Sequence, residues 1–89
     1  MKIIQKHHIN NRNESGAVIL SPYETNQLLT TKIKNIAFSS TNPIGYKLSK
    51  IGSMIVTDSF TSDVESPEIY ISNTGPDEVR VQYSCIHYS

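Results

Sequence analysis

Cys85 and His87 stand two apart in an alternating run, so in a strand both side chains leave the same face, with Tyr83 beside them. A thiol and an imidazole so placed can act as nucleophile and base, or as two ligands of a metal ion. Zinc needs two further donors, and His7 and His8, from the opposite terminus, are the plausible ones. A lone cysteine is more often buried and inert. On that balance the sequence assigns no catalytic residue, no metal ligand and no cofactor, and the chain is expected not to be an enzyme. A third role for Cys85 is a disulfide to another chain, since a single cysteine excludes an internal framework.

Other chemistry finds less support. The four glycines, Gly16, Gly45, Gly52 and Gly75, stand singly, so no phosphate-cradling loop exists. Asp58, Asp63 and Glu65 lack the glycine and the terminal glutamate of a calcium loop. Tyr23, Tyr46, Tyr70 and Tyr88 could form a platform for a glycan or a base, yet tyrosine also fills half-buried strand positions. Asn13-Glu14-Ser15 fits a glycosylation pattern but has no secretory route to use it.

The formal net charge is zero, but the charges are segregated. Lys2, Lys6 and Arg12 give residues 1–12 a basic character with no acid, whereas Asp58, Asp63, Glu65, Glu68, Asp77 and Glu78 fall in a stretch with no base. Both runs fit solvated surface. They also fit a basic arm of one copy docking on the acidic surface of another, which names Lys2, Lys6, Arg12, Asp58, Asp63, Glu65, Glu68 and Cys85 as interface candidates. A neutral chain has little counterion release with which to bind nucleic acid. Residues 1–9 carry Lys and His where an apolar signal core would run, and no apolar stretch is long enough to span a membrane. Synthesis in the cytoplasm without a signal peptide, and no membrane partner, are therefore expected.

The elements that must position these residues are strands. Ile, Val, Tyr, Phe and Thr dominate over Leu and Ala, and no segment shows helical spacing of apolar residues. Ile69 and Ile71, a turn over Asn73-Thr74-Gly75-Pro76-Asp77, and Val79, Val81, Tyr83 and Cys85 read as a hairpin, with Gly75 free to take positive φ. Gly16–Leu20 is a buried strand that Pro22 ends, and Leu28–Ser39 is the longest strand candidate. Its apolar residues change face across Lys34-Asn35, which predicts a bulge or a crossing between sheets. Ser39–Pro43 reads as loop, Ile44–Leu48 and Met54–Phe60 as strands, residues 50–53 as a turn, and residues 61–67 as an acidic connection. The chain is predicted to be all-β, a small antiparallel β-sandwich or jelly roll of about seven or eight strands. Residues 1–13 form an N-terminal arm and 14–89 the sandwich domain.

The layout of arm and sandwich, with Tyr70-Ile71-Ser72-Asn73-Thr74-Gly75 followed by Val79-Arg80-Val81-Gln82-Tyr83-Ser84-Cys85-Ile86, resembles the subunits of the endospore appendage fibres of bacilli. Phage and capsid sandwiches share the same layout. The resemblance implies a jelly roll whose neighbours extend one another's sheets, on a spore surface or in a phage particle. In that family the N-terminal connector carries cysteines; here it carries His7-His8 and none, so Cys85 lacks the expected partner.

Two functions are carried forward. The first is a non-enzymatic, self-assembling structural subunit, a homo-oligomer or fibre in which the arm pairs with neighbouring copies. The alternative is a compact binding module, an inhibitor of a protein or a sequestering protein for a small molecule, acting as a closed homo-oligomer with tyrosines and Asn42 or Asn73 lining its site.

Overall fold

The computed structural model describes residues 1–49, 53–63 and 65–88. Among them lie six strands: β1 (Lys2–His8), β2 (Asn13–Leu20), β3 (Gln27–Leu48), β4 (Ile55–Ser62), β5 (Ser66–Ser72) and β6 (Val79–His87). Every pairing is antiparallel, as expected of a small sandwich. The strands are fewer and longer than expected because β3, at 22 residues, runs straight through Ser39–Pro43. The loop signals there appear as a register shift against β4 between Ser39 and Ile44, with Pro43 inside it, where no ladder donor is required. The turn expected over 50–53 lies largely outside the described residues, as does position 64 of the acidic connection.

β3 builds the sandwich by serving both layers. Its first part pairs with β5 from Gln27 to Ile33, its middle part with β6 from Ile33 to Ser40, and its last part again with β5 from Gly45 to Leu48. The first crossing falls between Ile33 and Asn35, where the register shifts. Lys32, just before it, takes a positive φ of 54°. The change of face read from the sequence is therefore real, and it explains why Leu29 and Ile33 before the shift and Ile36 and Phe38 after it all point into one core. Val18, Leu20, Ile44, Tyr46, Ile69, Ile71, Val79, Val81, Tyr83 and Cys85 complete that core. Phe38, Tyr46 and Phe60 pack their rings together within it, with centroids 4.1 to 5.7 Å apart.

The segment read as a terminal hairpin is not one. β5 pairs only with β3, and β6 lies between β2 and β3, so the Asn73–Asp77 turn links strands of different layers. Gly75 does not use positive φ; that conformation falls on Tyr23, Asn26, Lys32 and Ser49. Asn73 organises the crossing instead. It is 1% exposed; its Nδ2 donates to the carbonyls of Ser21 and Asp77 at 3.0 and 2.7 Å, and its Oδ1 accepts from the Gly75 amide at 3.0 Å. The turn is thereby closed on itself and tied to the end of β2.

Residues 2–8 likewise form no free arm. β1 pairs with β2 of its own chain, with a bulge between Ile3 and Gln5, and becomes an edge strand all of whose residues are exposed. Met1 packs against the core and its amino group pairs with Glu24, which anchors the start of the strand.

Asn73→Ala leaves carbonyls of Ser21 and Asp77 without their donor, so it should destabilise the protein by about 2–4 kcal/mol. Urea unfolding monitored by far-ultraviolet circular dichroism measures this; a loss below about 0.5 kcal/mol would show that the turn closes without Asn73.

Candidate functional site

Alternation along β2 puts Glu14 on the same face as Gly16, Val18 and Leu20, which is the core face. The register sets Glu14 opposite Cys85 of β6 and His8 of β1. Tyr83 and His87 flank Cys85 on the same face of β6, so a carboxylate, a phenol, a thiol and an imidazole converge at one end of the sandwich.

Glu14 is 3% exposed, and a carboxylate so buried must be paired or hydrogen-bonded. Its Oε2 accepts from the Tyr83 hydroxyl, and its Oε1 accepts from His87 Nε2 at 2.8 Å and from Thr30 Oγ1 at 3.3 Å. Gly16 makes the first of these bonds sterically feasible. It lies opposite Tyr83, and a Cβ there would come within 2.9 Å of the Tyr83 ring and 2.6 Å of the Gln5 carbonyl. Burial pushes the Glu14 carboxyl up, but the hydrogen bonds from Tyr83 and His87 and the charges of Lys6 and His87 outweigh it and hold the group below the ordinary carboxylate value. Burial likewise raises the Tyr83 phenol well above its usual range, reinforced by its bond to Glu14.

His87 has both ring nitrogens engaged. Nε2 faces Glu14, and Nδ1 lies 2.7 Å from the Thr31 carbonyl, which fixes the ring's orientation. Cys85 Sγ sits 3.7 Å from His87 Nε2 and is 4% exposed. Burial, followed by the Glu14 charge, pushes its thiol up to about 12. The thiol is free. Among the described residues, Glu14, Cys85 and His87 are the group whose ligand atoms could share an ion, all lying within 4.8 Å of one another.

Cys85 and His87, paired from their spacing, are thus brought together. Of the two histidines expected from the other terminus, His8 arrives, with Nε2 4.0 Å from Glu14 Oε1 and its ring stacked 6.5 Å from that of His87. His7 is opposite Ser15 on the outward face. Glu14 was missed: it closes the polar run from Asn10, and only by extending the alternation of Gly16, Val18 and Leu20 backwards does it fall on the buried face.

The expected interface residues are spread over several elements. Lys2 and Lys6 lie on β1, Arg12 just before β2, Asp58 on β4, Asp63 and Glu65 between β4 and β5, and Glu68 on β5. Arg12 and Glu65 line a common surface cavity with Lys34 and Tyr88. Cys85, buried in the core, presents no thiol at the surface. The tyrosines form no platform: Tyr46 is in the core, Tyr23 stands on an exposed turn, and Tyr70 bonds Glu68 with Lys47 over its ring.

No protein-family model matches the sequence, and no curated protein matches it. Among solved structures, the fold is similar to the cupin domain of Schizosaccharomyces pombe Cnp3, with a TM-score of 0.67 and 16% identity over 97% of this chain. The match spans 60% of that chain's length. It is also similar to a cupin domain from Bordetella pertussis, with a TM-score of 0.62 and 15% identity over 98% of this chain and 95% of that one. An RmlC-like cupin protein from Desulfovibrio desulfuricans matches with a TM-score of 0.59 and 7% identity over 92% and 81% of the two chains. Identities this low establish a shared fold, the cupin type of jelly roll. The resemblance to endospore appendage or phage subunits is overturned by these neighbours. So is the self-assembling structural subunit, whose lending arm is already paired as β1.

Glu14 adds stability in full above its unfolded value of 4.5, and that contribution is lost as pH falls through its lower folded value. Tyr83→Phe removes the leading donor that lowers it. The variant should lose about 1–3 kcal/mol at neutral pH and begin its acid unfolding at a higher pH than the wild type. Denaturant midpoints taken at stepped pH check both; an unchanged acid limb would mean that Tyr83 does not hold the carboxylate ionised.

Proposed function

We propose that the protein binds one divalent cation of the zinc class through Glu14, Cys85 and His87. The observation that carries this is the convergence of a carboxylate oxygen, a sulfur and an imidazole nitrogen within 4.8 Å of one another on adjacent strands. Bonds of about 2.0 Å to nitrogen or oxygen and about 2.3 Å to sulfur place tetrahedral donors roughly 3.3–3.6 Å apart. The Cys85 to His87 separation of 3.7 Å needs almost no change, and the 2.8 Å between Glu14 and His87 opens as an ion replaces the shared proton.

The surroundings of His87 support the same reading. A metal-bound histidine commonly donates its other ring N–H to a backbone carbonyl, and Nδ1 is already set against that of Thr31. Mixed oxygen, nitrogen and sulfur donors favour zinc, cobalt or nickel over magnesium or calcium. The fold neighbours, jelly rolls of cupin type, are compatible with a ligand-binding role in place of assembly. A nucleophilic cysteine needs a depressed pKa, and the rise at Cys85 speaks against a catalytic thiol.

Binding displaces the Cys85 proton and the proton between His87 and Glu14, so affinity should rise with pH. Isothermal titration with zinc in two buffers of different ionisation enthalpy should give one site per chain with proton release. Cobalt should produce a near-ultraviolet thiolate charge-transfer band that Cys85→Ser abolishes, and Glu14→Gln and His87→Ala should each weaken binding by about a hundredfold or more. A wild-type protein that takes up neither ion would leave the cluster as a hydrogen-bonded buried acid and nothing more.

A further inference from the structure

We propose that His8 is the fourth protein ligand of this site, so that cation binding fastens the edge strand β1 to the sandwich. The inference rests on the metal-binding reading of Glu14, Cys85 and His87, and adds to it a residue and a consequence.

His8 stands opposite Glu14 in the β1–β2 register, on the inward face, whereas His7 next to it turns outward. Its Nε2 is 4.0 Å from Glu14 Oε1, and its ring lies at 23° to that of His87, with centroids 6.5 Å apart. Donors on a common tetrahedral ion stand roughly 3.3 Å apart, so His8 joins the site by turning its side chain inward past Glu14 toward Cys85 and His87. The side chain is half exposed, at 54%, and so has room to rotate. Lys6 shares the inward face but cannot serve as a ligand while charged; it is exposed and can swing into solvent.

The four donors come from three strands of unequal firmness. Cys85 and His87 lie on β6, which has β2 on one side and β3 on the other, and Glu14 lies on β2 between β1 and β6. His8 lies on β1, which has one neighbour, a bulge at its start and no buried residue. Without an ion, β1 is tied by its ladder, by Met1 at its beginning and by the turn into β2 at its end, where the Ile9 amide donates to the Asn13 carbonyl at 3.0 Å; none of these ties reaches β6. A ligand bond from His8 to an ion held by Cys85 and His87 adds a tie from β1 across β2 to β6. Four protein ligands also close the coordination shell, which is the arrangement of a structural rather than a catalytic zinc.

The test compares the wild type with His8→Ala and with His7→Ala, its outward neighbour, by zinc titration and by amide hydrogen exchange of β1. Zinc should slow exchange of the β1 amides in the wild type and in His7→Ala. In His8→Ala that protection should disappear and zinc affinity should fall by on the order of tenfold to a hundredfold. Zinc binding in His8→Ala with wild-type affinity and undiminished β1 protection would overturn the role of His8 and leave the three-residue site standing. A wild type that binds no zinc would remove both.

Discussion

The fold depends on the register shift in β3 between Ile33 and Asn35. A strand has two faces of alternating residues, and a strand buried in one layer can offer only one of them to a given core. By slipping one residue as it crosses between layers, β3 turns both of its apolar sets, Leu29 with Ile33 and Ile36 with Phe38, toward the same interior. A single 22-residue strand thus forms part of each wall and holds the two walls together. The core of a chain this short would otherwise need more strands and more turns than its length allows.

One end of that interior holds Glu14, and a buried carboxylate organises whatever surrounds it. The phenol of Tyr83, the imidazole of His87 and the hydroxyl of Thr30 all direct donors at it, and Gly16 provides the clearance for Tyr83 to reach it. The thiol of Cys85 stays protonated in the same environment, because burial and the Glu14 charge both disfavour its anion. On the proposed reading, a cation would take Glu14, Cys85 and His87 as ligands in place of the protons they hold. Glu14, Cys85 and His87 thus belong to a hydrogen-bond network that is satisfied without an ion and offer three donors to one.

Much of the fold is legible in the sequence because period-two alternation and β-branched composition are local signals. The Ile33–Asn35 shift shows directly as a change of face. The strand pairing is not local, and there the turn chemistry misleads: Asn73–Asp77 has every mark of a hairpin turn, yet Ile69–Ile71 and Val79–Cys85 pair with different parts of β3 and not with each other. Pro43 and its polar neighbours read as loop because a bulge and a loop draw on the same residues. Cys85 and His87 are recognisable as a pair from their spacing within one strand. Glu14 is not, since it lies 71 positions from Cys85 in a polar run and joins the pair only through the β2–β6 register. His8 is one of two adjacent histidines, and only the β1–β2 register decides which of them faces inward.

The position of β6 has a kinetic consequence. Among the described residues, β1 pairs with β2 alone, and the ladder from β2 to the rest of the sandwich runs through β6. Until Val79–His87 is in place, the molecule is two fragments: an isolated two-stranded hairpin at its beginning and a three-stranded β3–β4–β5 unit that lacks one wall. A lone hairpin is marginal in water. No early part of the chain can therefore fold and wait for the rest; closure is a single event, dominated by contacts between distant segments, of the kind that proceeds in milliseconds to seconds rather than microseconds.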